Sequence, residues 1–178
     1  MEFQYKLERK DIPSSEYEKL VNWLKSKNIR FIKTEQSLIL QHDEYYFIYR
    51  FDKVISAIKA GFSFEDALNI LEKDWELYEI DVKKASDRNP NTTNRLLSRI
   101  IGEKGKSLRN LEKYTKAKIK VNNKKVYIIG DPISSQAALE SIRRLLSGSS
   151  HNRVYDFASS YRRHLKNKEK EIGQNIYL

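Results

Sequence analysis

Gly102 and Gly105 stand three residues apart around Glu103 and Lys104, and Lys106 and Arg109 follow at once. A backbone free of Cβ atoms lets a polyanion come close, and glycine permits the positive φ of a tight connection. The helix that restarts after Gly105 points its free N–H groups and positive dipole end at the same place, where phosphate is favoured. With mobile charge on Lys104, Lys106 and Arg109, these groups suit a clamp for a nucleic-acid backbone. Two glycines at this spacing are weak evidence alone, and a charged helix-turn-helix corner has the same pattern. The surroundings add weight: an apolar helix before the loop, a basic helix and a basic hairpin after it. Arg95 to Lys125 hold 11 basic residues and two acids.

The charge of the whole chain follows the same division. Its 178 residues carry a formal net charge of +10. Met1 to Ala85 contribute 14 Lys/Arg against 16 Asp/Glu, whereas Ser86 to Leu178 contribute 20 against 8. A polyanionic partner therefore belongs to the second half. The absence of Cys excludes disulfides, thiolate metal sites and a Cys nucleophile. His42, His151 and His164 are scattered, so neither a metal nor another cofactor is expected. Acids of the basic half do not cluster except Glu169 and Glu171, which argues against a nuclease and for a non-enzymatic binding protein. No apolar run is long enough for a membrane span, and Met1 to Lys10 lack the apolar core of a secretory signal. A soluble, cytoplasmic protein without membrane contact is expected.

Periodicity then supplies the elements that position the loop. Trp75 to Val82 alternates as a strand with Tyr78, Ile80 and Val82 on one face, and Lys83 to Asn91 reads as a loop. Thr92 to Ile101 reads as a helix stopped by Gly102, and a second helix carries Leu108, Leu111 and Thr115. Ala117 to Val121 and Val126 to Ile129 form a hairpin through Asn122, Asn123 and Lys124. Asp131 and Pro132 open a helix that ends at Gly148, and Asn152 to Lys168 form the last one. The first half repeats the order: strand Phe3 to Glu8, helix Pro13 to Lys27, hairpin Ile29 to Lys33 with Leu38 to Leu40, then helices Tyr45 to Ala60 and Phe64 to Leu71. It has no glycine before Gly61, so its first helix is continuous. The chain thus reads as α+β with modules 1–74 and 75–178. Tyr45, Tyr46 and Phe47 are read as core beside Ile48 and Phe51. The paired acids Asp43-Glu44 and Glu65-Asp66 are read as helix starts, and Arg162-Arg163-His164 as a helix face.

Arg99 to Lys106, Ala117 to Val121 and Val126 to Pro132 resemble a type I KH domain, which clamps about four nucleotides with its GXXG loop. Ala60 to Ser63 and Gly148 to Phe157 are similar to archaeal members of the partner-of-Nob-one family, small two-KH proteins of ribosome assembly. The resemblance implies two tandem type I KH-like modules, the first degenerate, plus a C-terminal helix. It implies binding near the 3′ end of small-subunit rRNA, with the Nob-one endonuclease or the alpha subunit of initiation factor two as protein partner. A general RNA chaperone and a subunit of an RNA-processing enzyme are the alternatives. Carried over, the pattern makes Gly102, Glu103, Lys104 and Gly105 the clamp, with Lys106 and Arg109 beside it. Ile100, Ile101 and Ile119 stay open between groove floor and plain core. Lys118 and Lys120 stay open between an RNA-facing and a merely solvated strand face, and Arg95 and Arg99 between phosphate contacts and surface charges.

Overall fold

The computed structural model describes residues 2–175, with side chains through Glu169. The chain divides between Trp75 and Glu76 into two compact units.

The first unit contains β1 (Phe3–Glu8), α1 (Ser14–Ser26), β2 (Phe31–Lys33), β3 (Ser37–His42), α2 (Tyr45–Ala60) and α3 (Phe64–Glu72). Its sheet is antiparallel in the order β1-β3-β2. Leu7, Leu38 and Leu40 from the sheet, Leu20 and Leu24 from α1, and Phe51 and Ile55 from α2 are fully buried. These positions recur at periods of two and of three to four, so each element exposes one apolar face and must cover it. α1 is unbroken where the second unit has two helices.

Tyr45 and Tyr46, read from sequence as core, are 63% and 62% exposed, and Phe47 is half-buried. The apolar run at the start of α2 distributes its side chains around the whole helix, and the buried stripe begins only at Ile48 and Phe51. Tyr45 packs edge-on against Phe3, and Phe47 stacks on His42 at 4.1 Å between ring centres. Of the paired acids, Glu65 and Asp66 do occupy the first turn of α3. Glu44 stands at the N-cap position of α2 without capping it by its side chain, and Asp43 before it accepts from Arg30 Nη2 at 2.8 Å.

The second unit contains β4 (Glu76–Asp81), α4 (Val82–Ala85), α5 (Pro90–Ile101), α6 (Lys106–Thr115), β5 (Lys118–Asn122), β6 (Lys125–Gly130), α7 (Pro132–Leu146) and α8 (His151–Asn175). Its sheet is antiparallel in the order β4-β6-β5, the same pattern as in the first unit. Two helices differ from the sequence reading. The stretch after β4 folds its first residues into α4, because the Asp81 carboxylate accepts from the amides of Lys83 and Lys84. α5 starts at Pro90 and not at Thr92, since Asn89 caps the amides of Asn91 and Thr92 and proline suits the first helical position. The core joins Val126 and Ile128 of the sheet to Leu96 and Ile100 of α5, Leu111 of α6, Ile142 and Leu145 of α7 and Val154 of α8.

Arg50 of α2 is the tie that closes the first unit. Its Nη2 donates to the carbonyls of Ile70 and, at 3.3 Å, Trp75, and to Asp74 Oδ1. Trp75, placed in the strand by the sequence pattern, lies just before it, and its amide donates to Asn69 O at 3.2 Å. Replacing Arg50 by Met leaves those carbonyls unsatisfied and is expected to cost about 1.5–3 kcal/mol. Trp23 and Trp75 both lie in this unit, so urea unfolding followed by Trp fluorescence reads it; a change within about 0.5 kcal/mol would contradict the assigned role.

Candidate nucleic-acid interface

α5 ends where Gly102 adopts φ 72°, ψ 173°, a conformation reserved in practice for glycine. Its amide still donates to Ser98 O at 2.8 Å, closing the last turn. Lys104 follows in the left-handed region at φ 48°, and Gly105, at φ 76°, opens α6. A Cβ on Gly102 would lie 2.6 Å from Ser107 Cβ and 2.7 Å from Ser107 N. Gly102 is therefore required by the close approach of the two helices. At Gly105 the nearest neighbour is the mobile end of Arg109, 3.0 Å away, so this side of the corner is open.

Glu103 and Lys104 form the exposed tip, and Lys106 is exposed beside them. Arg109 folds back so that Nη1 donates to Lys104 O at 2.7 Å, which braces the loop and keeps its guanidinium at the tip. Arg95 is exposed on α5. Arg99 has a structural duty: its Nη2 donates to Ser149 O at 2.6 Å, and His151 Nε2 lies 2.8 Å from Arg99 O. These contacts dock the end of α5 on the start of α8, where Tyr114 and Tyr155 also stack at 5.6 Å.

The edge strand β5 alternates cleanly, with Lys118 and Lys120 exposed and Ile119 buried. Ile119 N donates to Glu112 Oε1 at 2.8 Å. Glu112 thus covers a strand amide that would otherwise be open to another chain. Of the three isoleucines left open by sequence, Ile100 and Ile119 belong to the core and Ile101 alone reaches the surface. Sequence reasoning missed both: the Arg99 carbonyl contact joins residues 52 apart in the chain, and Glu112 reaches the amide of Ile119 across the turn between α6 and β5, which no periodicity marks. Elsewhere on the sheet, Tyr78 Oη donates to Glu76, and burial followed by that carboxylate pushes its phenol up to about 12. Among the described residues no group of three His, Cys, Asp or Glu is placed to hold a metal, and no helix is long and apolar enough to cross a membrane.

The profile of the eukaryotic-type KH domain (KH-domain type I) matches residues 77–163, the stretch that carries the corner and its basic edge. The chain carries a KH domain of the PNO1 kind. It is 34% identical over 119 residues to the KH domain-containing protein MJ0443 of Methanocaldococcus jannaschii, covering 67% of this chain and 52% of that one. The pre-rRNA-processing protein PNO1 of Chaetomium thermophilum is 33% identical, with 57% of this chain and 40% of the relative covered. The chain thus spans about half the length of the curated relatives it matches, or less. In fold it resembles the a/eIF2alpha-aDim2p-rRNA complex of Pyrococcus horikoshii, with a TM-score of 0.71, 22% identity, and 92% and 96% of the two chains covered. The family's α+β KH architecture is thereby established for the second unit, and the first repeats its strand order without the glycine corner.

Two stability measurements test the placement of these residues. Ile100→Ala and Ile119→Ala each empty core volume and are expected to cost about 2–5 kcal/mol, whereas Ile101→Ala should stay within about 0.5 kcal/mol. Gly102→Ala should destabilise by about 1–3 kcal/mol from its backbone angles alone, and more than Gly105→Ala. Calorimetric melting of each variant checks both, and equal costs at the two glycines would refute the packing role of Gly102.

Proposed function

We propose that the chain is a single-strand RNA-binding assembly factor of the small ribosomal subunit, acting by holding its ligand and not by catalysis. The observation that carries this reading is the corner. Two helix ends converge on positive-φ glycines, the tip is exposed, and Lys104, Lys106 and Arg109 give it positive charge, with Arg95 exposed farther back on α5. Such an arrangement accepts a sugar-phosphate backbone at close range, while base edges and faces remain for specificity.

The relatives support the ribosomal part. One is named a pre-rRNA-processing protein, and the structural neighbour is described in complex with rRNA and a/eIF2alpha. By extension, the ligand of this chain is small-subunit rRNA near its 3′ end, and its protein partner is the alpha subunit of initiation factor two or the Nob-one endonuclease. Residues 75–178 are the RNA-binding module. Residues 1–74, with a continuous α1 and no excess of positive charge, serve packing or protein contact.

Glu103→Asp combined with Lys104→Asp should abolish binding of single-stranded RNA, read by fluorescence anisotropy, with an unchanged melting curve. Asp tolerates the left-handed backbone at position 104, so the fold survives the change. Equal affinity of wild type and double variant would remove the corner from the mechanism. If three or four phosphates are held, log K should fall against log salt with a slope of about −2 to −3. Neutralising exposed cations of the first unit should leave that slope unaltered.

A further inference from the structure

At the other end of α5, the segment leaving β4 and the turn joining β5 to β6 enclose a cavity of about 350 Å3. Asp81, Lys83, Lys84, Arg88, Thr93 and Lys124 line it. Its frame is well fixed: Val82 N donates to Lys124 O at 3.1 Å, and Ser86 and Thr93 share a buried hydroxyl bond of 2.5 Å. Pro90, the first residue of α5, also faces the cavity and brings the positive end of that helix to it.

The first unit offers an internal comparison. There Arg9 N donates to Gln36 O at 2.7 Å, in the register place of Val82 and Lys124, and a cavity of about 560 Å3 opens at the same point of the topology. That cavity is balanced, with Arg9 and Lys10 against Glu8 and Glu35. The one in the second unit sets four cations against Asp81, whose Oδ1 already accepts two backbone amides. None of the four cations forms an ion pair among the described residues. The adjacent Lys125 is neutralised by Glu79 at 2.5 Å, whose hydrogen bond raises the lysine above its ordinary value. The topology therefore supplies the hollow in both units, and only the second lines it for an anion.

We propose that this cavity takes a phosphate of the same RNA strand outside the stretch held at Gly102 to Gly105. This rests on the reading of the corner as an RNA clamp. α5, 12 residues long, separates the two places by about 18 Å. The footprint of the second unit is accordingly longer than the roughly four nucleotides of one clamp.

The test uses the full chain, wild type and a Lys83→Gln/Lys84→Gln/Lys124→Gln variant, with oligouridylates of about four and about twelve nucleotides. Expected is a loss of about tenfold for the longer RNA, with a salt slope shallower by about 0.7 per phosphate lost, and no change for the shorter. Lys10→Gln in the first unit's cavity should change neither. Undiminished affinity for the longer RNA, while the Glu103→Asp/Lys104→Asp variant fails to bind, would overturn the cavity's role and leave the clamp standing. An equal loss for both lengths would also overturn it, by showing a diffuse field. So would unchanged RNA binding with loss of inorganic phosphate binding, followed by NMR at constant ionic strength, since the cavity would then serve a free anion. Retained binding by the corner variant would defeat the clamp itself.

Discussion

Between α5 and α6 there is no space for a side chain at position 102, because Ser107 occupies it at less than van der Waals distance. This contact determines the direction in which α6 departs. From that direction follow the burial of Leu111, the reach of Glu112 to the amide of Ile119, and the return of Arg109 to Lys104 O. The exposed tip is a by-product of a packing constraint: two helix ends are forced together, and Glu103 and Lys104 between them are left on the surface.

Both units share the strand order in which the third strand lies between the first and second, and both open a hollow where the first strand meets the hairpin turn. What separates them is the helical segment between the first two strands and the distribution of charge. α1 runs unbroken from Ser14 to Ser26, with Tyr17, Leu20, Val21 and Leu24 buried, so no pair of helix ends converges there. In the second unit a longer helical segment, Pro90 to Thr115, is broken at the glycines and carries lysine and arginine around the break. The shared topology is thus carried by residues other than the glycine corner, and the first unit has the same strand order without it.

Much of this was legible in the sequence because periodicity and punctuation record local constraints. Gly102 and Gly105 marked the corner, the alternation of Lys118, Ile119 and Lys120 marked the edge strand, and Asp131 with Pro132 marked the start of α7. The failures have physical reasons. Tyr45 and Tyr46 lie in an apolar run, and composition alone could not show that they precede the buried stripe of α2. The choice between core and groove for Ile100 and Ile119 depends on which way a helix face or strand face turns. The duty of Arg99 toward Ser149 and the gathering of Lys83, Lys84, Arg88 and Lys124 around one hollow depend on pairs far apart in the chain. Sequence spacing carries no record of such meetings.

Hydrogen exchange of the backbone amides, with and without single-stranded RNA, tests the central claim most directly. Slowed exchange at Glu103 to Arg109, with α1 unaffected, is the result required if the corner grips the polynucleotide. Unchanged exchange at these amides under saturating RNA, with protection appearing in the first unit instead, would contradict it.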